Sequence, residues 1–223
     1  MKIGIIGSGN MGQALGIGWS RAGHDVVFGS RDPAGKARKA ATTAGASARA
    51  GTFDEAAAFG EVVLYTVRGV FPSTLLAKPA SLSGKIVVDC NNRDVGDDDH
   101  PGQFKIEPAP PGPTLTEKLA ADAPGARVVK AFSTIPQPVL ALDRAHLARH
   151  RVSVFLCGDD PSAKQVVKGL AGDLGFVGVD NGGLDRSWMI DALADFLRFQ
   201  IGIMGMGFYA TVSVHTVDEE RFT

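Results

Sequence analysis

The chain has 223 residues, 44% of them hydrophobic, enough apolar material for one large domain or for one domain with a small appendage. Its 23 basic and 24 acidic residues leave a formal charge of −1, which provides no electrostatic footprint for nucleic acid or for an anionic membrane. Cys90 and Cys157 lie in separate apolar runs and read as buried free thiols in a reducing, cytoplasmic setting.

Ile3, Ile5 and Ile6 form the short apolar run expected of a strand buried on both faces. No signal peptide is expected before it. Glycines follow at once in Gly7-Ser8-Gly9-Asn10-Met11-Gly12. Residues 13–22 then read as a helix stopped by Gly23, and Val26-Val27-Phe28 begins a second strand. This is strand, glycine-rich turn, helix, strand, the unit that binds a dinucleotide. Gly7 permits the tight turn, Gly9 lets the backbone approach a pyrophosphate, and Gly12 lets the helix pack closely on the strand. The helix N-terminus offers free N–H groups and a positive dipole end to the phosphates. Ser8, Asn10 and Met11 complete the candidate cradle.

The second strand ends in Gly29-Ser30-Arg31-Asp32-Pro33. An acidic residue at this point would bond the ribose 2′-hydroxyl of NAD. Ser30 and Arg31 suit a 2′-phosphate instead, because arginine offers a planar fork of donors. Lys36 adds a second charge, and Asp32 before Pro33 reads as a helix N-cap. NADP is the expected cofactor.

Further along, residues 34–44 read as a helix, 47–50 as a short strand, and 52–55 as a capped helix start. Residues 61–67 and 84–92 carry two strong buried strands, with loop and helix over 68–78 between them. Residues 93–113 interrupt the rhythm with an acidic run, Asp97-Asp98-Asp99-His100, and then several prolines. Consecutive residues cannot easily converge on one ion, so the run reads as a solvated loop and no metal site is expected. Strands are predicted at 126–132, 152–157 and 176–179, and helices at 114–121, 137–150, 162–174 and 184–204. Alternation of this kind predicts an α/β, Rossmann-type, doubly wound and mostly parallel sheet. The expected division is a dinucleotide-binding domain over 1–183 and a small helical extension over 184–223. That last segment is apolar but broken by Asp191, Asp195 and Arg198, so it is not expected to span a membrane.

Ligands of an open parallel sheet sit outside the carboxyl ends of its strands. Thr66, Val67 and Asn91 would therefore flank the pyrophosphate and ribose, with Ile135 facing the nicotinamide. No convincing base for alcohol oxidation is found; His100 and His150 read as surface residues, and no catalytic side chain is assigned. Hydride exchange between two cofactors needs little beyond positioning, because the cofactors carry the reactivity. Trp188, Met189, Leu193, Phe196, Leu197, Phe199, Ile201, Met204, Met206 and Phe208 are apolar on more than one side of the last helix, which predicts a two-fold homodimer.

Four stretches carry a resemblance: 1–7, 22–33, Val128-Val129-Lys130-Ala131-Phe132, and 154–160. In them the chain resembles the coenzyme F420-dependent NADP oxidoreductases. The resemblance implies that Ser30 and Arg31 bind the 2′-phosphate, and that the second substrate is the deazaflavin F420 or a flavin-like ring. Two positions depart from it. The first turn lacks the Gly-Gly-Thr-Gly form, and Ser133 stands where the family usually has Asn after Ala-Phe. An NADPH-dependent reductase of a small imine or carbonyl is the alternative enzyme, and a non-catalytic NADPH sensor the alternative of another class.

Overall fold

A computed structural model of the chain describes residues 1–96 and 104–216. The acidic run Asp97-Asp98-Asp99-His100 lies outside the described residues. Eight strands form one sheet: β1 (Lys2–Ile6), β2 (Asp25–Gly29), β3 (Ala48–Gly51), β4 (Val62–Tyr65), β5 (Ile86–Asp89), β6 (Arg127–Lys130), β7 (Ser153–Gly158) and β8 (Val177–Asp180). Their spatial order is β3-β2-β1-β4-β5-β6-β7-β8. All neighbours are parallel except β6 and β7, which pair antiparallel through Lys130 and Cys157.

The strands read as unbroken apolar runs because both faces are covered. On one face α1 (Asn10–Arg21), α2 (Arg38–Ala44) and α7 (Pro161–Asp173) close over Leu15, Trp19, Phe28 and Phe132. Trp19 Nε1 donates to the Leu170 carbonyl at 3.0 Å, and its ring meets Phe132 edge-on at 5.7 Å. On the other face α3 (Phe53–Phe59) and α5 (Leu115–Asp122) cover Ile6, Val63, Tyr65 and Val87. Both of these helices start with a reciprocal capping box, Thr52 with Glu55 and Thr114 with Glu117. Each pair satisfies two otherwise orphaned backbone groups. Cys90 and Cys157 are buried free thiols.

Three predicted helices are reshaped. Residues 137–150 are split, because Asp143 accepts N–H bonds from Ala145 and His146 at 2.9 and 3.1 Å and so starts α6 (Arg144–His150) afresh. Between β4 and β5 only Pro72–Leu75 (α4) is α-helical, followed by a tight turn over Pro79–Leu82; prolines restart the chain twice. The last predicted helix is α8 (Ser187–Arg198), continued by a wider turn over Phe199–Ile203. No helix among the described residues is long and apolar enough to cross a membrane.

A candidate nucleotide and hydride-transfer site

The glycine turn has the geometry its sequence implies. Gly7 adopts φ +109°, a left-handed conformation that favours glycine. The Gly29 carbonyl receives the Gly7 N–H at 3.3 Å and the Ser8 hydroxyl at 2.9 Å, which ties the turn to β2. Ser8 is thus engaged with the protein rather than presented to a ligand. A Cβ on Gly12 would overlap the Gly7 carbonyl, whereas a Cβ on Gly9 would meet nothing within 4 Å. Gly9 is also the N-cap of α1, whose first turn holds no acidic residue. The first N–H groups of α1 lack intrahelical acceptors and are free for an anion.

At the end of β2, the Asp32 side chain accepts from Ala34 N–H at 3.1 Å, and Ser30 Oγ accepts from Asp32 N–H at 3.2 Å. These two short-range bonds shape the corner. Arg31 and Lys36 stand exposed beside it, and neither forms an ion pair among the described residues. Two unpaired cations next to a β2 terminus are what a 2′-phosphate needs.

Beside the first turn of α1 opens a cavity of about 680 Å³. Met11, Thr66, Asn91 and Ile135 all line it, so four of the predicted residues converge. Val67 does not; it packs instead into the apolar layer of Ile6 and Tyr65. Thr66 Oγ1 lies 2.8 Å from the Gly7 carbonyl and 3.2 Å from that of Ile6, which joins the β4 end to the glycine turn. The cavity lies where the chain turns from the β2 side to the β4 side of β1, the switch point at which such sheets hold ligands. Its sheet side is completed by Asn92 and by residues 133–138, and its outer side by Leu197, Ile201 and Phe208.

Among the described lining residues the ionisable ones are Arg68, Arg198 and Cys90. Arg68 pairs with Asp94 at 3.0 Å, and Arg198 with Asp195 at 3.1 Å. Burial, reinforced by the neighbouring Asp89 carboxylate, pushes the Cys90 thiol far above its ordinary range, so it stays neutral. No Asp, Glu, His, Lys or Tyr among the described residues lines the cavity. His150 is exposed near the end of α6, its ring 4.6 Å from His146.

Sequence reading missed what holds α8 in place. Asp195 receives Arg93 at 2.6 Å and Arg198 at 3.1 Å, and Asp191 receives Lys130 at 2.8 Å. Burial pushes the Asp191 carboxyl upward, with Lys130 opposing. These charges interrupt an apolar segment, which is how they first read. Their spacing of four and then three residues was the available signal, since it places them on one helical face.

Comparison with known proteins gives concordant results. The family model described as "NADP oxidoreductase coenzyme F420-dependent" matches residues 2–93. A solved structure from Arthrobacter sp. FB24, provisionally described as an F420-dependent NADP-reductase, superposes with TM-score 0.76 at 25% identity, covering 96% of this chain and 100% of that one. A hypothetical protein from Sinorhizobium meliloti superposes with TM-score 0.66 at 31% identity, covering 84% of this chain and 87% of the other. Metalloreductase STEAP3 of Rattus norvegicus is 30% identical over 192 residues, 86% of this chain. That match covers 36% of the rat protein, so the chain spans about a third of the length of the curated relatives it matches.

Proposed function

We propose that the chain, whose residues 2–93 match the coenzyme F420-dependent NADP oxidoreductase model, is a member of that family and transfers a hydride reversibly between NADP(H) and a deazaflavin of the F420 type or a flavin-like ring. The observation that carries this reading is the cavity beside the glycine turn: large, mostly apolar, and with no Asp, Glu, His, Lys or Tyr among its described lining residues. Reduction of a small imine or carbonyl calls for a proton donor at the reacting atom. A flat tricyclic ring calls chiefly for stacking and alignment, with reacting carbons about 3–3.5 Å apart. Pro136 and Pro138 stiffen the turn on the sheet side, and Leu197, Ile201 and Phe208 supply apolar surface opposite.

The described part of the extension, residues 184–216, then supplies the outer wall of the hydride site through Leu197, Ile201 and Phe208, and it also carries the surface for a second copy. Trp188, Phe196, Phe199, Met204 and Met206 are exposed by 37–65%, a cluster too apolar for an isolated surface. A homodimer is the expected state in light scattering at micromolar concentration; a stable monomer there would refute it.

Steady-state oxidation of NADPH against a panel of deazaflavin, flavin and cyclic imine tests the reading. Deazaflavin or flavin should be reduced and imine left unchanged. His150→Ala should keep turnover within a few-fold, since that ring lies outside the cavity lining. Reduction of imine alone would favour the small-substrate enzyme. NADPH binding without oxidation by any acceptor would favour a nucleotide sensor.

A further inference from the structure

Lys130 has no part in that chemistry, yet it is the most completely buried cation of the described chain, with 0% exposure. It ends β6, a four-residue strand whose other core positions are valine. Its ammonium meets one partner from each of three segments: Asp191 Oδ1 on α8 at 2.8 Å, the Asn91 carbonyl after β5 at 2.8 Å, and Thr116 Oγ1 on α5 at 3.2 Å. Of the three N–H donors of lysine, two serve the Asn91 carbonyl and the Thr116 hydroxyl, while Asp191 Oδ1 lies against the ammonium as an ion pair without an aligned hydrogen bond. Thr116 Oγ1 in turn donates to Asp89 Oδ2 at 2.6 Å. The other oxygen of Asp89 accepts from the Asn91 backbone N–H at 3.0 Å and from its side-chain amide at 2.7 Å.

The position of these partners matters more than their number. Asn91 and Asn92 belong to the sheet-side wall of the cavity, and Ala194, Leu197 and Arg198 to the helix-side wall. Asp191 lies one turn of α8 before Ala194. A single ammonium therefore holds a carbonyl of one wall and a carboxylate of the other. A buried ion pair is weak support for stability, because apolar residues of similar volume often do as well. It does fix two elements in one relative placement, and here those elements are the two walls.

We propose that Lys130 is a positioning residue that sets the spacing of the cavity walls, with Asp191 as its anchor on α8. The effect on turnover rests on the hydride-transfer reading; the effect on the walls does not.

The test uses the full chain in four forms: wild type, Asp191→Asn, Lys130→Met, and the double variant Lys130→Met/Asp191→Leu. NADPH affinity, read by fluorescence titration, should stay within about twofold in all, because the glycine turn and Arg31 lie elsewhere. Catalytic efficiency toward the hydride acceptor should fall in the variants by up to about a hundredfold, the usual consequence of roughly 1 Å of misplacement. Amide exchange on the NADP-loaded protein should quicken over 187–198. The double variant separates the two roles. Removing both charges should restore the melting temperature while efficiency stays low. Recovery of efficiency together with stability would overturn the proposal, as would unchanged α8 exchange in Asp191→Asn and Lys130→Met. If the wild type turns over no acceptor, the hydride-transfer reading falls, and the exchange rates alone decide whether Lys130 holds the walls.

Discussion

Arg31→Ala should weaken NADPH binding by about 1.5–3 kcal/mol, the usual worth of a hydrogen bond to a charged group. That is roughly 10- to 150-fold in Kd. NADH, which lacks the 2′-phosphate, should bind as before. The reasoning is local. Arg31 is exposed and has no anionic partner among the described residues, so its removal costs the fold little. Ser30 and Asp32 shape the corner through their own bonds and should hold it without the guanidinium. Lys36→Ala should act the same way but less, since an ammonium is a point charge and not a planar fork. Fluorescence titration with both nucleotides reads the result. Equal weakening of the two would contradict the assignment of Arg31 to the phosphate.

Gly9→Ala and Gly12→Ala should part company. Gly12 lies within the first turn of α1, where alanine would ordinarily help a helix by up to about 1 kcal/mol; Gly9 is its N-cap, where alanine brings no such gain. At Gly12 the added Cβ would overlap the Gly7 carbonyl and approach Ile5 Cγ2 to 3.0 Å. Helix α1 must then lift off β1, an overpacking cost of about 1–3 kcal/mol that outweighs the propensity gain. The melting temperature and NADPH affinity should fall together. At Gly9 a Cβ meets nothing within 4 Å, and φ is −76°. Stability should hold there while affinity is lost, because the methyl group occupies the path of the pyrophosphate. Thermal melts and NADPH titrations on both variants check the contrast. Undiminished affinity in Gly9→Ala would remove the pyrophosphate from this turn.

Much of the molecule was legible because its signals are local. Ile3 to Gly12 gives strand, turn and helix within a dozen residues, and the positive φ of Gly7 is what glycine at that place implies. The buried strands of 62–65 and 86–89 announced themselves by unbroken apolar runs. Where reading failed, the deciding interaction was short and polar or distant in sequence. Asp143 splits a helical stretch with two N-cap bonds, which periodicity does not register. Val67, half-buried like Thr66, packs against the Ile6 and Tyr65 layer beside Gly7 while Thr66 lines the cavity. The strand alternation places the two on opposite faces. Lys130 and Asp191 are 2.8 Å apart although sixty-one positions separate them in the chain. No window along the sequence contains both. The capping box of Thr114 and Glu117 carried a readable spacing that went unused.

Hydride transfer itself is tested most directly by isotope. NADPH deuterated at the transferring position of nicotinamide C4 would be mixed with the protein and a deazaflavin, and the reduced ring analysed by mass spectrometry. The expected result is one deuterium on the reduced deazaflavin for each NADPH oxidised, with the accompanying proton drawn from water. Oxidation of NADPH that leaves the ring free of deuterium, or no oxidation of NADPH at all, would contradict direct transfer between the two cofactors in this cavity.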